Sequence, residues 1–207
     1  MRLRAWNLTI ERGGRRVIAG LSFEAPEGSA LIVTGPNGAG KTSLLRALAG
    51  FLPIEAGGFA LDDSDEERTV GEQAHHLGHA DGVKSALTAG ENLAFAAAML
   101  GGDSSRAAQL AALTALGLGH VIDFPARLLS AGQRRRVALA RLLVAKRPLW
   151  LLDEPTTALD AAAQRAFAAI MRAHVQGGGI LVAAAHGALG LDDAQELRLG
   201  DIERAQA

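Results

Sequence analysis

Residues 35–42 read GPNGAGKT, a glycine-rich turn closed by Lys41 and Thr42. The apolar run ALIVT at 30–34 precedes it, and the leucine-patterned SLLRALAG follows. This is G-x-x-x-x-G-K-[ST] set between a strand and a helix, the arrangement that cradles phosphate. Glycines let backbone N–H groups converge on phosphate oxygens, and the helix N-terminus adds positive potential. Gly35, Pro36, Asn37, Gly38, Ala39, Gly40, Lys41, Thr42 and Ser43 are therefore the candidates for holding a nucleotide. Lys41 is placed to reach the β- and γ-phosphates, and the Thr42 hydroxyl to coordinate Mg²⁺.

A second element completes that chemistry. In PLWLLDEP, Asp153 ends an apolar run, where a carboxylate can hold Mg²⁺ through water. Glu154 follows at once, placed to polarise an attacking water as general base. Alone, these two acids would read as an acidic turn after a strand. Beside a phosphate loop they read as chemistry.

Between the two lies LLSAGQRRRVALARLL. Ser130 suits the N-cap of the helix that follows, with Gly132 in its first turn. One nucleotide hardly needs two anion-receiving helix N-termini in one subunit. Two subunits related by a two-fold axis can each offer this cap to the other's nucleotide.

Other groups weigh less. His75, His76 and His79 alternate faces along a short strand and its exit, and no carboxylate or cysteine completes a metal set. Arg134, Arg135 and Arg136 span different helix faces, so a solvated surface with local ion pairs is expected rather than a nucleic-acid patch. Asp62, Asp63, Asp65, Glu66 and Glu67 read as a solvated turn.

These groups must be positioned by strands and helices. Residues 3–10 and 17–25 read as two antiparallel strands joined at RGGR, followed by a buried strand at 30–34. The phosphate-loop helix ends near Gly50, and short strands flank the acidic loop. Residues 88–118 turn helical and alanine-rich, with GGDSS separating two helices and capping the second. A helix over 131–147, the PLWLLDEP strand, a helix over 160–176 and a final strand in GILVAAAH complete the chain. Strand–helix alternation with continuous apolar strands gives an α/β fold with a parallel sheet covered on both faces. The helical block, approximately residues 80–128, is expected as a subdomain inserted in a single nucleotide-binding domain spanning 1–207.

Composition agrees. Of 207 residues, 49% are hydrophobic but only 4% aromatic, so the core must be built from Ala, Leu and Val. No cysteine is present, which excludes disulfides, thiolate metal sites and cysteine catalysis. The net charge of −1 gives no global basic field, and no nucleic-acid partner is expected. No apolar run reaches the roughly 20 residues of a membrane span, and the N-terminus lacks the apolar middle of a signal peptide. A soluble chain is expected, serving any membrane process from outside the bilayer.

Taken together, these motifs resemble the ATP-binding-cassette (ABC) ATPases over essentially the whole chain. GPNGAGKT resembles their Walker A, LWLLDE their Walker B and LSAGQ at 129–133 their signature motif. TALD at 157–160 resembles their D-loop, and His186 in VAAAH their switch histidine. The resemblance implies ATP and Mg²⁺ as cofactors and a dimer of ATPase subunits, expected to be a homodimer, that closes on ATP and reopens after hydrolysis. It gives Lys41, Glu154 and His186 catalytic roles. Ser130, Gly132 and Gln133 would serve the opposite nucleotide, and Asp160 would couple the two sites.

Two positions depart from the family pattern. Arg12 stands where an adenine-stacking aromatic is usual; a guanidinium plane also stacks on a base, and the position equally suits a solvated hairpin arginine. His79 replaces the Q-loop glutamine. Neutral imidazole offers one donor and one acceptor, so His79 is a candidate for the catalytic and Mg²⁺-facing role of that amide. With LGH, ENL, SAGQ and LWLLDEP, these details resemble the ATPase subunit of the cytochrome c maturation haem exporter. That resemblance implies transmembrane permease partners and a peripheral place on the cytoplasmic face of the inner membrane. An ABC ATPase for another cargo, or one acting on DNA or ribosomes, is the alternative.

Overall fold

The structure is a computed structural model and describes residues 1–185, 187 and 189–200. It divides into two compact units. The first comprises Met1–Gly78, Pro148–Pro155 and the chain from Met171 onward; the second comprises His79–Arg147 and Thr156–Ile170.

The first unit opens with β1 (Arg2–Arg12) and β2 (Arg15–Pro26), an antiparallel hairpin. Leu3, Ala5, Leu8 and Ile10 are buried along β1, while Arg2 and Arg4 stay outside. An alternation of that kind is what a half-buried strand requires. The chain continues through β3 (Ala30–Thr34) and α1 (Lys41–Leu48) to β4 (Ala56–Asp62), which pairs with the free side of β1. The first sheet therefore has the order β2-β1-β4. Asp62 is not part of a solvated turn: it sits in β4 and accepts two hydrogen bonds from the Arg4 guanidinium.

β5 (Ala74–Leu77) enters the second sheet. Within the second unit follow α2 (Ala89–Leu100), α3 (Arg106–Ala115) and α4 (Ala131–Val144). α2 starts at Thr88, whose hydroxyl accepts from the Glu91 N–H while the Glu91 carboxylate accepts from the Thr88 N–H. This reciprocal capping box satisfies two N–H groups that would otherwise lack partners at the helix start. Ser105 caps α3 in the simpler way. Leu93, Ala97, Leu113, Val137 and Leu139 are buried in this unit. Burying each such leucine is worth about 1.5–3 kcal/mol, and the small alanines let the three helices approach.

The chain returns through β6 (Leu149–Asp153), α5 (Ala161–Gln176), β7 (Ile180–Ala184) and β8 (Gln195–Arg198). The second sheet has the order β5-β6-β7-β3-β8, with parallel pairing from each strand to the next. Every residue of β6 and β7 is buried, as expected of central strands covered on both faces.

The strand in GILVAAAH is not the last. β8, QELR, pairs with β3 at the sheet edge and is mostly exposed, so it carries no apolar signal. The arginine run is not a solvated face either. Arg135 is 4% exposed, Arg134 donates to the Leu129 carbonyl and Arg136 to the Leu116 carbonyl.

Candidate functional site

The phosphate loop leaves the carboxyl end of β3, the end at which parallel sheets present ligands. Gly35 has φ 135°, and a Cβ there would lie 2.4 Å from the Leu199 carbonyl oxygen, so both conformation and space demand glycine. Gly40 caps α1 in the left-handed region and contributes no side-chain cap. The first-turn N–H groups of α1 are thus left open toward an anion.

Lys41 lies inside this turn, 7% exposed. Its ammonium donates to the Gly35 carbonyl at 2.7 Å and the Pro36 carbonyl at 3.1 Å. The loop's own oxygens hold the cation at the cradle, where it can exchange them for phosphate oxygens. The Thr42 hydroxyl donates to Asp153 Oδ2 at 2.9 Å. Asp153 is 4% exposed and ends β6, beside Ala184 of β7. A hydroxyl and a carboxylate paired in this way are hard oxygen donors, and this set fits Mg²⁺.

Glu154 follows in the left-handed region, φ 46°, an uncommon conformation for a non-glycine residue. Its N–H donates to the Ala184 carbonyl at 2.9 Å, which fixes the turn. Such conformations cost about 1–3 kcal/mol and persist where surrounding structure imposes them.

A cavity of 780 Å³ lies beside the loop. Its lining includes Pro36–Ala39 on one side and Arg15, Arg16 and Val17 of β2 on the other. Arg16 is held there by Glu55, at 3.0 and 3.3 Å.

In β5, next to β6, His76 packs edge-on against Phe51, with ring centroids 5.3 Å apart. Burial lowers its pKa from the usual 6.5, Asp153 opposes this, and Arg46 adds to it.

In the second unit, Ser130 caps α4. Its hydroxyl accepts from the Gln133 N–H, and Gln133 Oε1 accepts from the Ser130 N–H at 2.8 Å. Gly132 faces the Ala158 carbonyl; a Cβ would come within 2.9 Å of it. Asp160 caps α5, its Oδ1 accepting from the Ala163 N–H at 2.8 Å. His79 is exposed and stands two residues beyond β5.

The ABC transporter family model matches residues 18–157. The chain belongs to the ABC transporter family. Among curated relatives, this ABC transporter chain is 56% identical to the cytochrome c biogenesis ATP-binding export protein CcmA of Nitrobacter winogradskyi, covering 97% of this chain and 98% of the relative. It is 52% identical to the same-named protein of Bradyrhizobium diazoefficiens, covering 98% and 100%. Among solved structures, a bacterial Atm1-family ABC exporter with ATP bound superposes with a TM-score of 0.82 at 27% identity, over 96% of this chain and 37% of that chain. An ATP-binding cassette solved as a dimer after hydrolysis, with ADP and Pi, shares the ABC fold with a TM-score of 0.83 at 22% identity, over 96% and 94%. A putative ABC transporter ATP-binding protein of Pyrococcus furiosus matches with a TM-score of 0.84 at 20% identity, over 96% and 98%.

Within the ABC transporter frame, the structure joins Thr42 directly to Asp153 and sets Lys41 in the phosphate loop. Ser130, Gly132 and Gln133 meet at the start of α4. Arg12 is exposed at the end of β1 and does not line the 780 Å³ cavity, whereas Arg15 and Arg16 do. His186 lies outside the described residues. Arg15 and Arg16 stand in the same RGGRR stretch as Arg12, yet no motif singles them out in the sequence. Leu199 and Gly200 escape sequence reasoning too, because they back the loop from a distant stretch that carries no motif.

Proposed function

We propose that this ABC transporter chain is the ATP-hydrolysing subunit of a complex that serves cytochrome c biogenesis, with haem as the cargo. The observation that carries this reading is the full-length likeness to the cytochrome c biogenesis ATP-binding export proteins of Nitrobacter and Bradyrhizobium. The chain binds and hydrolyses ATP; the finer assignments below are part of the proposal.

Gly35 to Ser43 hold the triphosphate, and Lys41 neutralises charge on its outer oxygens as the bond to the γ-phosphate breaks. Thr42 and Asp153, with His79, would hold Mg²⁺, which when bound supplies charge neutralisation for the phosphates. Glu154 takes a proton from the attacking water, and His186 contacts the γ-phosphate. Arg15 and Arg16, which line the cavity beside the loop, face the adenine, and Arg12, outside that lining on the same hairpin, is the alternative stacking partner. Ser130, Gly132 and Gln133 meet the nucleotide of a second copy, and Asp160 links the two sites in a homodimer.

The chain acts as a peripheral subunit on the cytoplasmic face of the inner membrane, docked on transmembrane permease subunits. Among the described residues, no helix is long and apolar enough to cross a membrane. ATP favours the closed dimer over the open one, and that difference in affinity does the work on the partners.

The test is covalent haem attachment in cells that lack this chain. Haem-stained c-type cytochromes should disappear and return with the wild-type chain but not with Lys41→Ala. Unchanged c-type cytochromes in the deletion strain would overturn the proposal.

A further inference from the structure

The loop that leaves β5 is tied to α4 through both the side chain and the backbone of one residue. Arg135 Nη1 donates to Asp81 Oδ1 at 3.2 Å, with side-chain exposures of 5% and 27%. Arg141 Nη2 donates to the Asp81 backbone carbonyl at 2.7 Å, and its Nη1 reaches the Gly82 carbonyl at 3.4 Å. The same Arg141 is braced on its own helix, Nε donating to the Ala138 carbonyl at 3.2 Å. Gly82 has φ 62°, a backbone conformation that favours glycine, and a Cβ there would lie 3.2 Å from Arg141 Nη1. The far end of the loop is pinned to α2: Asn92 Oδ1 accepts from the Lys84 N–H at 2.7 Å, and its Nδ2 donates to the Lys84 carbonyl at 3.1 Å.

His79 stands two residues before Asp81, and Ser130 five residues before Arg135. Five helical residues span about 7.5 Å. A shielded ion pair of this kind is screened far less by salt than a surface pair, and losing one partner leaves a buried charge unmet. The tie that neutralises the buried Arg135 also joins the His79 loop to the first turns of α4.

We propose that Asp81, held by Arg135 and Arg141, is a positioning residue that makes the His79 loop and the Ser130 cap move as one piece, so that a displacement of the loop reaches turnover rather than nucleotide affinity. This rests on the reading that His79 and Ser130 serve ATP hydrolysis. Proximity alone does not establish coupling, so the test compares variants across the pair.

The experiment uses the full chain, Asp81→Asn, and the double variant Asp81→Ala/Arg135→Met. The double variant removes both members of the Asp81–Arg135 pair, while Arg141 keeps its bonds to the backbone carbonyls of residues 81 and 82, and a melting curve confirms that it folds. Three quantities are measured: Kd for radiolabelled ATP by equilibrium dialysis, kcat with MgATP, and amide hydrogen exchange over residues 79–84 and 130–136. The expected result for the double variant is an ATP Kd within about twofold of wild type and a kcat lower by roughly tenfold, within the range of measured pairwise couplings. Exchange over 79–84 should rise while that of α4 holds. Wild-type kcat in the double variant would overturn the proposal, as would loss of ATP affinity in step with kcat. Absence of turnover in the wild-type chain would instead overturn the ATPase reading. The exchange measurement then decides the tie by itself: unchanged protection over 79–84 in the double variant would refute it.

Discussion

The Thr42 hydroxyl donates a 2.9 Å hydrogen bond to Asp153 Oδ2. These residues are 111 positions apart in the chain, yet the parallel sheet brings the first turn of α1 against the end of β6. The bond joins the two halves of the phosphate chemistry and pre-sets two oxygen donors.

Removing either donor should raise the Mg²⁺ requirement. Thr42→Ala and Asp153→Asn should each shift the Mg²⁺ concentration for half-maximal ATPase upward by at least roughly tenfold, since even outer-shell changes cost that much metal affinity. A Mg²⁺ titration of ATP turnover at fixed ATP measures it. An unchanged midpoint in both variants would separate this pair from the metal.

Glu154 is held in the left-handed region by its N–H bond to the Ala184 carbonyl. Glu154→Gln keeps that backbone and the side-chain shape while removing the carboxylate proposed as general base. ATP binding should persist while turnover falls by about 10²–10⁴, the usual contribution of a positioned general base. Sedimentation with MgATP should show the variant trapped as a dimer. A monomer at saturating ATP would contradict the two-copy site.

The strand Ala30–Thr34 and the capping role of Ser130 are legible in the sequence, because both follow from local patterns that tertiary packing has no reason to override. Other features are not. β8 is a polar edge strand whose partner β3 lies more than 160 residues earlier, so neither period nor composition announces it. Arg135 sits in a run of three arginines that reads as solvated surface, and its burial depends on Asp81, 54 residues upstream. Long-range charge pairing of that kind leaves no trace in a single sequence.

Ser130 forms its capping box with Gln133 on an exposed turn. Ser130→Arg should leave ATP affinity of the isolated subunit unchanged and abolish hydrolysis, because the contact proposed for the cap is with a second copy's nucleotide. Loss of the cap should cost about 1 kcal/mol of stability. Isothermal titration with a non-hydrolysable ATP analogue, beside a turnover assay and a melting curve, reads all three. A fall in affinity equal to that of a phosphate-loop variant would place Ser130 in its own subunit's site.

Two histidines should make the fold acid-sensitive. His174 stacks on Trp150 with ring centroids 3.9 Å apart, and burial lowers its pKa from 6.5 although a bond to the Ile180 carbonyl opposes this. His76 is lowered chiefly by burial too, and its Nε2 is buried without a hydrogen-bond partner. In both, the fold favours neutral imidazole. Their contribution is therefore fully present above pH 6.5 and is lost as pH falls from there through the lower folded values. Urea midpoints should be level above about pH 7 and decline as pH falls below 6.5, and His174→Phe should flatten part of that decline. Superimposable pH profiles would show that His174 does not contribute.

The central claim is that this chain hydrolyses ATP at the loop containing Lys41, whose ammonium is bonded to the Gly35 and Pro36 carbonyls at the cradle. The most direct measurement is phosphate release from MgATP by the purified full-length chain and by Lys41→Ala, with nucleotide binding followed in parallel. The account predicts steady turnover by the wild-type chain and a loss on the order of 10²–10³ in the variant, the scale of removing one preorganised charge-stabilising donor, together with weakened ATP binding. Equal turnover by the two proteins would contradict it.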